Sequence, residues 1–192
     1  MTQSDQQPFL RTVTGDVPVD QFQLILPHEH IFTDLRGPET PDYAQGDPQL
    51  VADAMLPLLA DAAAQGVTAL VECSTVGVGR NVAILRHVAE HTAVRIVAPT
   101  GVYREAFIPP ALRETPAGAL AKTWIQDLTE GMEGTGIRAG FIKIAMSDDG
   151  PTPREVRNLQ AAAQASLATG AAVASHTIFG SVARQEIDIL ET

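Results

Sequence analysis

From residue 22 onward, short apolar runs alternate with stretches of helical periodicity, and the alternation repeats along the chain. Phe22 to Pro27 reads as a strand, and Pro48 to Gln65 as a helix capped by Asp47 and ended by Gly66. Pro57 is expected to kink that helix or to mark a later start. Val67 to Cys73 is the next strand, and Asn81 to His91 the next helix, with Val82, Leu85 and Val88 at helical spacing. Val94 to Pro99, Ala139 to Ala145 and Ala171 to Ser175 read as further strands. Helices are expected over Pro116 to Glu133, after Thr152, and from Ser181 to Glu191. Thr152-Pro153-Arg154-Glu155 is a capping box, and Gly170 closes the helix it opens. Strands apolar on both faces, each followed by a helix, dictate a parallel sheet with right-handed crossovers. A doubly wound open sheet and a (β/α) barrel both satisfy this pattern, and both place their sites at the strands' C-terminal ends. No G-x-G-x-x-G or P-loop follows any strand, so the nucleotide-binding version of the open sheet lacks support.

Composition narrows the partners. The 192 residues include 13 Lys+Arg against 23 Asp+Glu, a net charge of -10, which argues against nucleic acid or an anionic membrane as partner. No apolar run reaches transmembrane length, and the polar start from Met1 to Arg11 lacks the pattern of a signal peptide. Cys73 is the single cysteine, so no internal disulfide forms. A cytoplasmic protein is expected. Residues 1–12 are expected to be a flexible segment ahead of one domain over residues 13–192, with the Pro/Gly-rich stretch from Gly37 to Asp47 a second flexible region.

Ligand-type side chains gather at the strand ends. His28 and His30 flank Glu29 at the end of the first long strand. In extended chain, residues two apart point the same way, so both imidazoles can converge on one metal ion. Lys143 lies inside Phe141-Ile142-Lys143-Ile144-Ala145, and the chain has only one other lysine, Lys122. Burial favours the neutral amine, which can act as a nucleophile or take up carbon dioxide as an anionic carbamate. A lysine snorkelling from a strand end is the structural alternative. His176 ends the last strand and reads either as a third ligand or as a hydrogen-bonded structural histidine. His87 and His91 are spaced i, i+4 but lack the glutamate of H-E-x-x-H, and are read as a solvated helix face. Cys73 is expected as a small buried hydrophobe. Glu72 and Ser74 are either supporting groups or ordinary strand-end polar residues.

The segment Leu26-Pro27-His28-Glu29-His30-Ile31-Phe32-Thr33-Asp34 resembles the opening signature of the phosphotriesterase family of the amidohydrolase superfamily. Thr135 to Ala145 resembles that family's lysine-bearing strand, and Ala161 to Gly170 followed by Ser175-His176-Thr177 its next helix and strand. Ser74-Thr75, Gly79-Arg80 and Thr100-Gly101-Val102-Tyr103 also fit, so the likeness runs from about Val13 onward. Gly-Val-Tyr is closer to the phosphotriesterase-like lactonases than to the true phosphotriesterases, which tend to carry tryptophan there. The resemblance implies a TIM-type (β/α)8 barrel of the metallo-dependent hydrolases, with about the first five βα units present. It implies two divalent metals, zinc foremost with cobalt, manganese or iron as alternatives. His28 and His30 would bind the more buried ion, Lys143 as N6-carboxylysine would bridge the two, and His176 would bind the more exposed one. Catalysis would fall to Lys143 and Tyr103, and the reaction would be hydrolysis of a small-molecule lactone, ester or organophosphate by a metal-bound hydroxide.

Two departures accompany the resemblance. The family takes a further histidine from its sixth barrel strand and an aspartate, its usual proton acceptor, from its eighth, and this sequence reaches neither. Asp20 to Leu24 also lacks the family's usual glycine. A truncated or split barrel with two open strand edges is therefore expected, inactive by itself or self-associating, although the family is usually homodimeric. The competing functions are a non-catalytic barrel remnant or interaction module and, ranked last, a Schiff-base lyase using Lys143.

Overall fold

The computed structural model describes residues 7–191. It is an α/β fold whose strands run parallel apart from one N-terminal hairpin. The hairpin pairs β1 (Phe9–Thr12) with β2 (Gly15–Pro18). Then follow β3 (Leu24–Glu29), α1 (Pro48–Ala64), β4 (Val67–Glu72), α2 (Val82–Ala89), β5 (Arg95–Val97), β6 (Pro99–Thr100), α3 (Ala117–Thr129), β7 (Phe141–Ala145), α4 (Pro153–Thr169), β8 (Val173–His176) and α5 (Gly180–Leu190). The parallel order is β3-β4-β5, then β6-β7-β8. β5 and β6 are two lengths of one extended segment: the first pairs only with β4, the second only with β7. Between them, Ala98 takes the Gly140 N–H on its carbonyl at 2.8 Å.

Local signals account for most boundaries. The Asp47 carboxylate accepts from Gln49 N and Leu50 N and starts α1, which runs unbroken through Pro57. The later start that Pro57 allowed is not taken: α1 begins at Pro48 and holds the proline inside it. Both hydrogen bonds of the capping box at Thr152 and Glu155 form, and Gly170 ends α4 in the left-handed conformation. α3 is shorter than expected. It stops at Thr129, Gly131 turns the chain at φ 133°, and a separate 3-10 turn covers Met132–Gly134.

The N-terminal expectation needs correction. Residues 1–6 lie outside the described residues, but Phe9–Thr12 is a strand rather than a flexible segment. Its four residues pair with β2, and Val13 N donates to the Ile96 carbonyl, which ties the hairpin to the sheet. The Gly37 to Asp47 stretch has no regular element but is held in place. Ala44 N donates to the Asp34 carboxylate, Asn81 Nδ2 to the Ala44 carbonyl, and Gly79 N to the Tyr43 hydroxyl.

All five residues of β7 are buried, as a strand covered on both faces must be. Ile142 and Ile144 join the main core with Leu120, Trp124 and Leu128 of α3 and Leu159 and Ala162 of α4. Phe141, on the other face, packs with Cys73 and Val97, and with Leu10 of the hairpin, in a small inner cluster. The outer strands are barer. Leu24 and Ile25 on β3 and Val173 on β8 are exposed, as are Leu58 on α1 and Ile187 and Leu190 on α5. Among the described residues, β3 and β8 are each paired on one side only.

Candidate metal centre at the strand ends

His28, His30, Lys143 and His176 line one cavity of about 330 Å³, together with Thr33, Leu35, Cys73, Val78 and Tyr103. Three strand ends meet there. β3 supplies the histidine pair, whose rings lie 5.2 Å apart, edge to face. β7 supplies Lys143, and β8 supplies His176 two residues beyond Ala174, the residue opposite Lys143. Phe141 shares the inward face with Lys143, and the Phe141, Cys73 and Val97 cluster forms an apolar floor. Lys143 is accordingly 3% exposed, and among the described residues no carboxylate lines the cavity.

Tyr103 arrives by an unusual route. Gly101 has φ +111°, and a Cβ there would lie 1.9 Å from the Lys143 carbonyl oxygen. Only glycine lets the chain pass so close to β7. Val102 then bridges to Val76, and Tyr103 N donates to the Val76 carbonyl. The Tyr103 ring comes within 5.4 Å of the His176 ring, centroid to centroid, and 5.5 Å of Phe107. The loop behind it is fastened to the start of α4. Glu105 N donates to the buried Glu155 carboxylate, and Arg104 Nη1 reaches both Asp148 oxygens at 3.1 and 3.2 Å.

The electrostatics favour neutral nitrogen donors. Burial pushes the Lys143 ammonium below its usual range. Withdrawal from water lowers the His28 and His176 imidazoles as well, and the neighbouring Lys143 charge adds to it in both. Burial raises the Tyr103 phenol above its ordinary value, so the group stays protonated. Cys73 lies in the cavity wall with its thiol raised by burial, an inert hydrophobe as the sequence suggested.

Neutral imidazoles and an amine that can form a carbamate suit divalent zinc-like ions on donor chemistry. Among the described residues, no three His, Cys, Asp or Glu side chains form a metal-holding group by themselves. The anionic share of a centre here would therefore fall to Lys143. His87 and His91 stack on each other on α2, with His91 Nδ1 2.7 Å from the His87 carbonyl oxygen, and take no part. The walls formed by Thr33, Leu35 and Val78 were not singled out in the sequence, because none carries ligand chemistry.

Residues 8–192 match the phosphotriesterase family. The chain belongs to that family. It is 31% identical over 186 residues to the phosphotriesterase homology protein of Mycobacterium tuberculosis, covering 90% of this chain and 56% of that one. The homologous protein of Escherichia coli is 29% identical, with 86% and 56% covered. Among solved structures, a variant of the organophosphorus hydrolase from Deinococcus radiodurans superimposes with a TM-score of 0.86 at 31% identity, over 98% of this chain and 59% of that one. A mutant of the phosphotriesterase-like lactonase from the same organism gives 0.83 at 32% identity, over 95% and 59%. The chain thus spans rather more than half the length of the relatives it matches. Its parallel strands and covering helices correspond to part of the barrel of these phosphotriesterase-family proteins. No helix among the described residues is long and apolar enough to cross a membrane.

Proposed function

We propose that this chain carries the lysine-bridged side of a two-metal hydrolase site acting on lactone, ester or phosphotriester bonds of small molecules. The supporting observation is the convergence of His28, His30, Lys143 and His176, from three strand ends, on a single cavity. Two divalent ions, zinc or its neighbours, would supply Lewis acidity and an activated water when bound.

The chain's own residues would do the following. His28 on β3 and His30 just past its end would present imidazole nitrogens to one ion, and His176 would present its own to the other. Lys143, held toward the neutral amine by its apolar floor, attacks the carbon of carbon dioxide. An N–C bond forms as one C=O pair moves onto oxygen, a proton leaves the nitrogen, and the resulting carbamate would offer anionic oxygens as the donors that hold the ions. Tyr103 keeps its phenolic proton and lies beside His176, where it can donate to an oxygen of the substrate. Leu35 and Val78 exclude water from the acyl or aryl portion. The family's remaining ligands, a histidine and a proton-accepting aspartate, find no counterpart in residues 1–192 in this reading. The proposal is therefore for the site, and whether this chain turns over by itself is what the test decides.

The test is metal analysis together with turnover of lactones and aryl phosphotriesters after reconstitution with zinc or cobalt and bicarbonate. About two equivalents of metal, lost with bicarbonate depletion or in Lys143→Met, are expected. Absence of metal in the reconstituted protein overturns the reading. The exposed Leu24, Ile25 and Val173 on the outer strands favour a second reading, an association module, which sedimentation of the His28→Ala/His30→Ala double variant separates from the first. A defined complex unaffected by that variant supports the second.

A further inference from the structure

The ladder between β3 and β4 ends at the pair Glu29 and Glu72, and the next residue, just past β3, is the cavity histidine His30. β3 is an edge strand, and the His30 side chain is 43% exposed, so main-chain pairing alone does not fix its ring. Side chains from β4 take over where the ladder stops. Cys73 N donates to the Glu29 carbonyl at 2.9 Å. The Glu72 side chain, 0% exposed, accepts Ile31 N at 2.5 Å and Ser74 N at 2.7 Å. It thereby holds the backbone on both sides of the crossing. Ser74 is itself buried, and its hydroxyl lies 2.9 Å from His30 Nδ1, with Glu72 Oε1 at 3.6 Å from the same nitrogen.

We propose that Glu72 and Ser74 are positioning residues that hold His30 with its proton on Nδ1 and its Nε2 lone pair turned to the cavity; the proposal rests on the reading of His30 as a metal donor. The polarity of the surroundings decides the tautomer. Nδ1 faces a hydroxyl oxygen and, behind it, a carboxylate oxygen. A proton on Nδ1 is received by the hydroxyl oxygen and lies toward the carboxylate, whereas a lone pair there would face it. The bond also fixes the rotation of the ring, which an exposed edge residue would otherwise keep free. Hydrogen-bonded partners of this kind raise the affinity of a histidine ligand by roughly 10–100-fold.

Nitrogen-15 NMR of the imidazoles in the metal-free protein at pH 8 tests the idea without turnover. His30 is expected in the Nδ1–H form in the wild type and in Ser74→Thr, and as a mixture of tautomers in Ser74→Ala and Glu72→Gln. Zinc affinity, read by chelator competition, is expected to fall about tenfold in Ser74→Ala and further in Glu72→Gln. Glu72→Gln places an amide against two backbone donors and can fail to fold. Ser74→Ala removes only the hydroxyl and decides the matter alone. A His30 tautomer that is mixed in the wild type, or unchanged in folded Ser74→Ala, overturns the proposal. A wild type that binds no zinc overturns the metal reading instead, and the tautomer measurement still judges the positioning.

Discussion

Replacing Gly101 with alanine puts a methyl group where Lys143 already has its carbonyl oxygen. The added carbon would stand 1.9 Å from that oxygen and 2.8 Å from the carbonyl carbon. An ordinary carbon–oxygen contact needs about 3.3 Å, so β6 must retreat from β7 by roughly 1.4 Å. That movement breaks the rungs Pro99 to Phe141 and Thr100 to Ile142 and loosens the Val76 to Val102 bridge. Each ladder hydrogen bond contributes about 1 kcal/mol net, and the φ of +111° adds about 1–3 kcal/mol of strain for a residue with a side chain. The sum, about 3–5 kcal/mol, is a large part of the ~5–15 kcal/mol that holds a domain folded. Urea denaturation followed by circular dichroism measures it. Gly118→Ala is the internal control, since that residue lies in α3 with nothing within 4 Å of the new Cβ. It should stabilise the protein by about 0.5–1 kcal/mol. A Gly101→Ala protein within about 1 kcal/mol of the wild type would refute the close-approach argument and the account of how Tyr103 reaches the cavity.

Three further outcomes are expected. Glu155→Ala strips the acceptor from Glu105 N, Ser147 N, Ser147 Oγ and Thr152 N, and should cost about 3 kcal/mol or more by chemical denaturation. Asp34 is held well below the usual carboxylate range, first by the Arg36 guanidinium, then by Ala44 N and Arg36 N against the opposing effect of burial. A carboxyl lowered on folding contributes stability above its unfolded pKa, about 3.9, and loses it as pH falls below that value. Asp34→Asn should therefore cost about 2 kcal/mol at pH 7, with the gap from the wild type closing as melts are run below pH 4. A constant gap between pH 7 and pH 3 would contradict the assignment. Arg104→Ala breaks an ion pair whose partners are each about a third exposed, so stability should change by less than about 1 kcal/mol in the same melts.

The βα alternation was legible because each strand is apolar on both faces and several helices carry their own caps. Asp47, Thr152 with Glu155, and Gly170 all act where the sequence places them. The site was legible for a related reason. His28, His30, Lys143 and His176 are chemically conspicuous at the ends of otherwise apolar segments, so position and residue type point the same way. The β1–β2 hairpin escaped, because four-residue strands show little periodicity and its anchoring depends on Val13 meeting Ile96, far along the chain. The sequence marks Glu72 and Ser74 only as supporting groups or ordinary strand-end polar residues. Their task emerges only once the register of β3 on β4 places Ile31 N and His30 Nδ1 above them. α3 was overextended because its apolar periodicity runs up to Gly131, whose positive φ marks the turn only in three dimensions.

The change of partner at Ala98 divides the ligating side chains between two separately paired strand triplets. His28 on β3 and His30 just past it lie beside β3-β4-β5, Lys143 and His176 belong to β6-β7-β8, and the triplets are joined by the segment from Arg95 to Thr100 and by the single bridge from Val76 to Val102 rather than by a full ladder. Whatever binds between the histidine pair and Lys143 therefore acts as a clasp across a seam. Occupancy should slow amide exchange most around Ile96 to Gly101 rather than at the ligating residues themselves. The spacing that the cavity offers its guest is then set by how stiffly that seam is held.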